Sequence, residues 1–155
     1  MLTRKSPPGA GAETATISFL SSNMLRIDVA DAPIVMDYSY RGVKAGYDPN
    51  LLRQLEHVSL LSREDIEMII SARTLERRLS QREMLKLEES DGIARLVRVM
   101  GRAIRVFEDE DLAEEWLRSP NPALDDEIPM QMARTDIGAR EVEGVLTRIE
   151  HGVFD

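Results

Sequence analysis

Residues 88–107 read EESDGIARLVRVMGRAIRVF. Ile93, Leu96, Val97, Met100, Ile104 and Phe107 recur at the i, i+3, i+4, i+7 spacing of one helix face. Ala94, Val99, Ala103 and Val106 widen that face, so the stretch predicts a helix of about five turns, apolar around most of its circumference. A helix of that kind belongs at the centre of a core. Its remaining stripe is Arg95, Arg98, Arg102 and Arg105, which fall within about 80° of one another at 3.6 residues per turn. Like charges at i, i+4 repel by roughly 0.2–0.5 kcal/mol per pair, so acidic groups should lie alongside. The EDEDLAEE segment that follows at 108–115 is the nearest supply.

Other elements extend outward from this helix. EDEDLAEEWL at 108–117 predicts a short helix with acids at its start, Arg118 at its end, and Leu112, Ala113, Trp116 and Leu117 on its buried face. A Pro-rich acidic elbow follows, then a short helix opened by Pro129. Val142, Val145, Leu146 and Ile149 predict a last helix, with Gly152 at the C′ position. Upstream, Asp48-Pro49 is a helix-start pair, with Leu51, Leu52, Leu55 and Val58 at helical spacing behind it. SRED at 62–65 has the form of a capping box, and TLERRL at 74–79 predicts one or two turns capped by Thr74. Residues 24–40 are mixed: IDV and IVMDYSY each fit a short strand or an extended arm. Residues 1–47 are expected to be a flexible N-terminal arm, and the chain as a whole all-α.

Composition excludes much. The 155 residues are 43% hydrophobic and 31% charged, ordinary for one domain or two small ones, and only 5% aromatic. There is no Cys, which removes disulfides and thiolate metal sites and suits a reducing cytoplasm. No apolar run suggests a secretory signal or a membrane span. His57 and His151 lie in no HxxxH or HExxH pattern, Gly9-Ala10-Gly11 is no phosphate loop, and the consecutive acids of 108–115 read as a solvated face. No catalytic residue, metal ligand or cofactor is expected. A net charge of −8 argues against general nucleic-acid binding but leaves room for a local basic patch.

Such a patch exists. SREDIEMIISARTLERRLSQR has helix–turn–helix proportions, and its second helix carries Arg73, Thr74, Arg77 and Arg78, with Arg82 just beyond. In that motif the second helix enters the major groove, and arginine forks suit guanine edges and phosphates. These five residues are the candidate DNA contacts. The same arginines would also merely coat a surface helix.

In the C-terminal part, Trp116-Leu117, Pro120-Asn121, Ala123-Leu124, Pro129, Thr135, Gly138-Ala139, Val142, Leu146, Arg148-Ile149 and His151-Gly152-Val153 together resemble the toxin-binding domain of the Xre/MbcA/ParS antitoxin family. Before them, Arg73, Thr74, Leu75 and Arg78 match an RTL..R element of the family's Xre-like region, and Glu89-Ser90-Asp91 match the start of its long helix. The likeness spans roughly residues 60–155. It implies an Xre-like helix-turn-helix and dimerisation region over 48–107, then a small helical toxin-binding domain over 108–155.

The resemblance further implies an antitoxin of a type II pair. Its partner would be a RES-domain toxin that degrades NAD or uses it for ADP-ribosylation, and the antitoxin would cover that toxin's active site. It implies a homodimer that represses its own operon through operator DNA. Mapped here, the toxin contacts would be Trp116, Asn121, Leu124, Arg148, His151, Gly152, Val153, Phe154 and Asp155. Two positions depart from the family pattern: Asp126 and Glu108 stand where glycine is common, and Asp tolerates a left-handed backbone better than most residues. The rival reading is a stand-alone helix-turn-helix regulator whose C-terminal domain only dimerises.

Overall fold

A computed structural model describes residues 2–3, 16–29 and 33–153. The chain divides into two compact units, 1–94 and 95–155, with the boundary inside its longest helix.

The first unit opens with strands β1 (Leu2–Thr3), β2 (Thr16–Ser21), β3 (Met24–Asp28) and β4 (Ile34–Asp37), an antiparallel sheet in sequence order. Its register sets Ile17 opposite Ile27, which in turn lies opposite Ile34, while Leu25 pairs with Phe19 and Met36. Ile17, Leu25, Ile27, Ile34 and Met36 are buried, and Val35 between the last two is exposed. This is the period-2 alternation of a sheet with one face on a core. The expectation of an all-α chain is therefore corrected: the fold is mostly helical with a small sheet. So is the flexible arm, because residues 16–29 and 33–47 form strands and a helix that contribute to the core. The strand alternative for 24–40 is the one realised.

Five helices follow, α1 (Tyr40–Ala45), α2 (Pro49–His57), α3 (Arg63–Glu67), α4 (Ala72–Gln81) and the first part of α5 (Leu87–Phe107). Their starts are written in side chains. Asp48 accepts the Asn50 N–H at 2.8 Å and Pro49 takes the first helical position. Ser62 and Asp65 bond each other's main-chain N–H groups, completing the capping box. The start of α4 differs from expectation. Ser71, not Thr74, is its cap, and its hydroxyl accepts the Thr74 N–H at 3.2 Å, so the helix begins two residues before Thr74. Buried Ser90 of α5 accepts the Tyr47 N–H, and the Tyr47 phenol donates to the Asp37 carbonyl at 2.8 Å. Burial pushes that phenol's pKa up.

The second unit holds the rest of α5, then α6 (Glu110–Arg118), a 3-10 turn at Pro122–Leu124, α7 (Pro129–Met132) and α8 (Asp136–Glu150). Asp109 caps α6 and Thr135 caps α8. Val99, Met100, Ala103 and Ile104 of α5 are buried, as are Ala113 and Leu117 of α6, Met130 of α7, and Ala139, Val142, Val145 and Leu146 of α8. The predicted apolar face of α6 holds only in part, for Leu112 is 52% exposed.

Gly42 shows how tightly the first unit is closed. A Cβ there would lie 1.9 Å from the Asp37 carbonyl oxygen, which is main chain and has nowhere to go. Gly42→Ala should cost about 3 kcal/mol, the upper part of the range for overpacking. Urea unfolding with tryptophan fluorescence and circular dichroism checks this, and a midpoint equal to that of the unaltered chain would refute the clash.

Candidate functional site

Two surfaces carry the residues picked out by sequence. The first is formed by α3 and α4. Arg73 is exposed on α4, and Arg82, also exposed, sits in the left-handed conformation that ends the helix (φ 54°). Arg77 is half exposed and donates to Glu83 at 2.9 Å. Thr74 is spent on the cap, accepting the Ser71 hydroxyl at 2.9 Å.

Arg78 is different. Its side chain is 5% exposed, pairs with Glu89 at 2.9 Å and Glu83 at 3.3 Å, and donates to the Met84 carbonyl. Arg78 is thus withdrawn from the candidate DNA contacts: it is a buried strut tying α4 to the start of α5. The sequence also missed Arg53, which pairs with Glu76 and offsets the one acid on the outer side of α4. A Glu on an otherwise basic helix is the signal that a cation stands opposite it. Beside this pair lies a cleft of about 80 Å³, lined in part by Arg63 and Glu56. That is well below the roughly 300 Å³ at which small-molecule sites begin.

The second surface is built in the second unit. Phe107 ends α5, Glu108 turns the chain at φ 53°, and Trp116 of α6 rests on Phe107 with ring centroids 5.7 Å apart. Trp116 stays half-buried. The elbow after α6 is held by Asn121. Its side chain accepts the Ala123 N–H at 2.9 Å, its carbonyl accepts Leu124 and Asp126, and its N–H donates to Glu127. Asp125 and Asp126 both adopt left-handed backbone, at φ 55° and 62°. The turn expected at Asp126 therefore forms without glycine.

Leu124 is buried at 6%, so among the candidate toxin contacts it is corrected to a core residue that anchors the elbow. What the elbow presents is Pro120, Pro122, Ala123 and the acids 125–127.

The C-terminal end of α8 is an exposed corner. Gly152 (φ 67°) donates to the Ile149 carbonyl at 3.1 Å and Val153 to the Arg148 carbonyl at 2.9 Å, a Schellman motif. Arg148, His151, Gly152 and Val153 are all exposed. Phe154 and Asp155, the other two candidates, lie outside the described residues.

Two arginines of the stripe find their acids here, on α8. Arg98 donates to Glu143 at 2.6 Å, Arg102 pairs with Glu150, and Arg95 donates to the Arg134 carbonyl at 2.8 Å. The carboxylates opposite Arg98 and Arg102 come from α8, not from 108–115. All are half-exposed, so each pair contributes modestly, within about 1 kcal/mol. Among the described residues no cluster of His, Asp and Glu could hold a metal ion, and no helix is long and apolar enough to cross a membrane.

Residues 102–152, which include α6, the elbow, α7 and α8, match the family described as the antitoxin Xre/MbcA/ParS C-terminal toxin-binding domain. Three relatives, each named "Antitoxin Xre", are similar over longer stretches. The one from Photorhabdus laumondii is 34% identical over 111 residues, covering 70% of this chain and 75% of its own. The one from Yersinia enterocolitica is 40% identical over 86 residues, 55% of this chain and 58% of its own. The one from Pseudomonas putida is 31% identical over 107 residues, 69% of this chain and 67% of its own.

The two arginines of α4 should behave oppositely when truncated. Arg78→Ala leaves Glu89 half-desolvated beside an empty slot and should cost about 3 kcal/mol. Arg73→Ala should stay within about 0.5 kcal/mol of the unaltered chain. Denaturant melts of both variants make the comparison, and equal stabilities would show that Arg78 is not a strut.

Proposed function

Because the chain belongs to the Xre/MbcA/ParS antitoxin family, we propose that it is the antitoxin of a type II pair, a binding protein without catalysis of its own. The observation that carries this reading is the match of residues 102–152 to a toxin-binding domain, on a unit that ends in an exposed, sharply turned corner. Its partner in this proposal is a RES-domain toxin directed at NAD. Neutralisation occurs by occlusion: the tail leaves α8 at Gly152 and enters the toxin's cleft, with Val153 and Phe154 filling apolar space. Asp155, as a side-chain carboxylate, occupies part of the place of the dinucleotide's anionic pyrophosphate. An acidic chain, at net charge −8, complements a cleft built to hold an anion. The elbow and Trp116 add a rigid platform to the contact, one that loses little entropy on binding.

The second part of the proposal is autorepression by a homodimer. Exposed Arg73, Arg77 and Arg82 on α4 support it, and the pairing of Glu76 with Arg53 removes an acid that would oppose phosphate.

Both parts are directly testable. Removing residues 154–155 leaves the Gly152 and Val153 hydrogen bonds in place, so the melting temperature should hold while neutralisation falls at least ten-fold. NAD consumption by a RES-domain toxin, the partner of this proposal, titrated with either form, reads this out. A truncated chain that still silences the toxin at one equivalent would sink the tail mechanism. For DNA, Arg73→Ala with Arg77→Ala should lower the slope of log K against log salt by about two units, one per lost phosphate contact. A slope left intact would take α4 off the phosphates.

A further inference from the structure

The basic surface of the first unit does not end with α4. Residues 40–47 and 72–87 hold seven cations and two acids, in a chain of net charge −8. Both acids are engaged, Glu76 with Arg53 and Glu83 with Arg77 and Arg78. Lys44, Arg73, Arg82 and Lys86 are exposed, and none of the four makes an ion pair among the described residues. In the link from α4 to α5, Arg82, Met84 and Lys86 face outward, while Glu83 turns to the two arginines and Leu85 is buried. That link runs past α1. Leu85 donates to the Tyr47 carbonyl at 2.9 Å, and a Cβ on Gly46 would lie 3.7 Å from that of Met84. Lys44, two residues before Gly46, holds its ammonium 6.0 Å from the ring of exposed Tyr40. Asp37 and Asp48, which flank α1, accept the main-chain N–H groups of Ser39 and Asn50, and the next exposed acid along the link is Glu88, in α5.

Arg82 adds an independent argument. It closes α4 in left-handed backbone, at φ 54°, a conformation that glycine adopts freely and an L-residue only under strain. Its N–H donates to the Arg78 carbonyl, a bond glycine would make equally well. Its side chain is exposed and makes no hydrogen bond or ion pair among the described residues, so nothing within the chain offsets the strain. Strain kept at an exposed position points to a use outside the chain. A guanidinium fork is suited to phosphate, and cations strung along a band suit a polymer that carries a charge at every step.

We propose that the backbone of duplex DNA runs on beyond α4, along the link 82–86 and onto the last turn of α1, with Arg82, Lys86 and Lys44 each meeting a phosphate. The inference rests on the reading of α4 as a DNA-contacting helix and extends that footprint to α1, upstream of it. Contacts of this kind carry no sequence information; they fix orientation on the duplex and strengthen binding to any sequence.

The test uses the full chain and a mixed-sequence DNA duplex of about three helical turns, since phosphate contacts do not depend on sequence. Affinity is measured against salt, and melting temperature and solution mass on each chain alone. Lys44→Ala with Lys86→Ala should melt like the unaltered chain and lower the slope of log K against log salt by about two units per bound chain. Arg82→Gly should melt higher and lower the slope by about one unit, a gain in stability with a loss in affinity. If the unaltered chain binds no duplex, autorepression through α4 falls and this extension with it. If it binds, and neither variant moves the slope by more than about half a unit while Arg73→Ala with Arg77→Ala still does, the extension is refuted and the α4 contact stands. Variants that change the solution mass of the chain alone but not the slope would assign the band to an acidic face of a second copy and overturn the proposal.

Discussion

Helix α5 is apolar over most of its circumference and arginine-bearing on the rest, and neither part can be left to itself. The apolar part has to be covered, which gives both compact units a share of one helix. In the second unit the arginines have to be partnered: acids of α8 meet two of them, Arg98 with Glu143 and Arg102 with Glu150, and Arg95 donates to the carbonyl of Arg134 just before the helix. Seven residues separate Glu143 from Glu150, two turns of helix, while the arginines they meet are four apart, about one turn. Long side chains bridge the difference. The pairs are individually weak in partial solvent, so their value is in register more than in stability.

Much of the helical part was legible because its signals are local. Asp48-Pro49, the Ser62–Asp65 box and Gly152 each declare a helix end through chemistry contained in a few residues, and each is found where the sequence puts it. Asp126 was legible for the same reason: a short polar side chain accepts the left-handed backbone. The sheet was not legible from composition, since a low aromatic content averages over the chain and says nothing of twenty residues whose aliphatics alternate. IVMD puts three apolar residues in a row, and a segment that short fits an arm as well as a strand until the register with residues 24–28 is known.

Side-chain destinations were less legible than helix ends. Arg78 and Arg77 are adjacent in sequence and identical in chemistry, yet one is 5% exposed and the other 47%. What separates them is the direction of α4 relative to Glu89, eleven residues away, and that is tertiary information. Likewise the acids of 108–115 are nearer the stripe in sequence than Glu143 is, but proximity along the chain does not decide which carboxylates face Arg98. Exposed among the candidates are Arg73 and Arg77 on α4, Arg82 at its close, and Arg148, His151, Gly152 and Val153 at the close of α8; at ends and corners the exposure follows from the backbone.

The left-handed residues extend this argument from fold to function. Glu108, Asp125 and Asp126 hold a conformation that costs L-residues roughly 1–2 kcal/mol each, and none of them is glycine. The two aspartates form one tight turn whose hydrogen bonds all return to Asn121 and Leu124, so the strain is offset by the buried leucine and by the satisfied main chain. Glycine would relieve the strain but loosen the turn in the unfolded and folded chain alike. Keeping side chains there fixes the elbow and places two carboxylates at its tip. A turn built that way has its shape set by its own hydrogen bonds and its buried leucine, so ordering it costs no entropy at a later step.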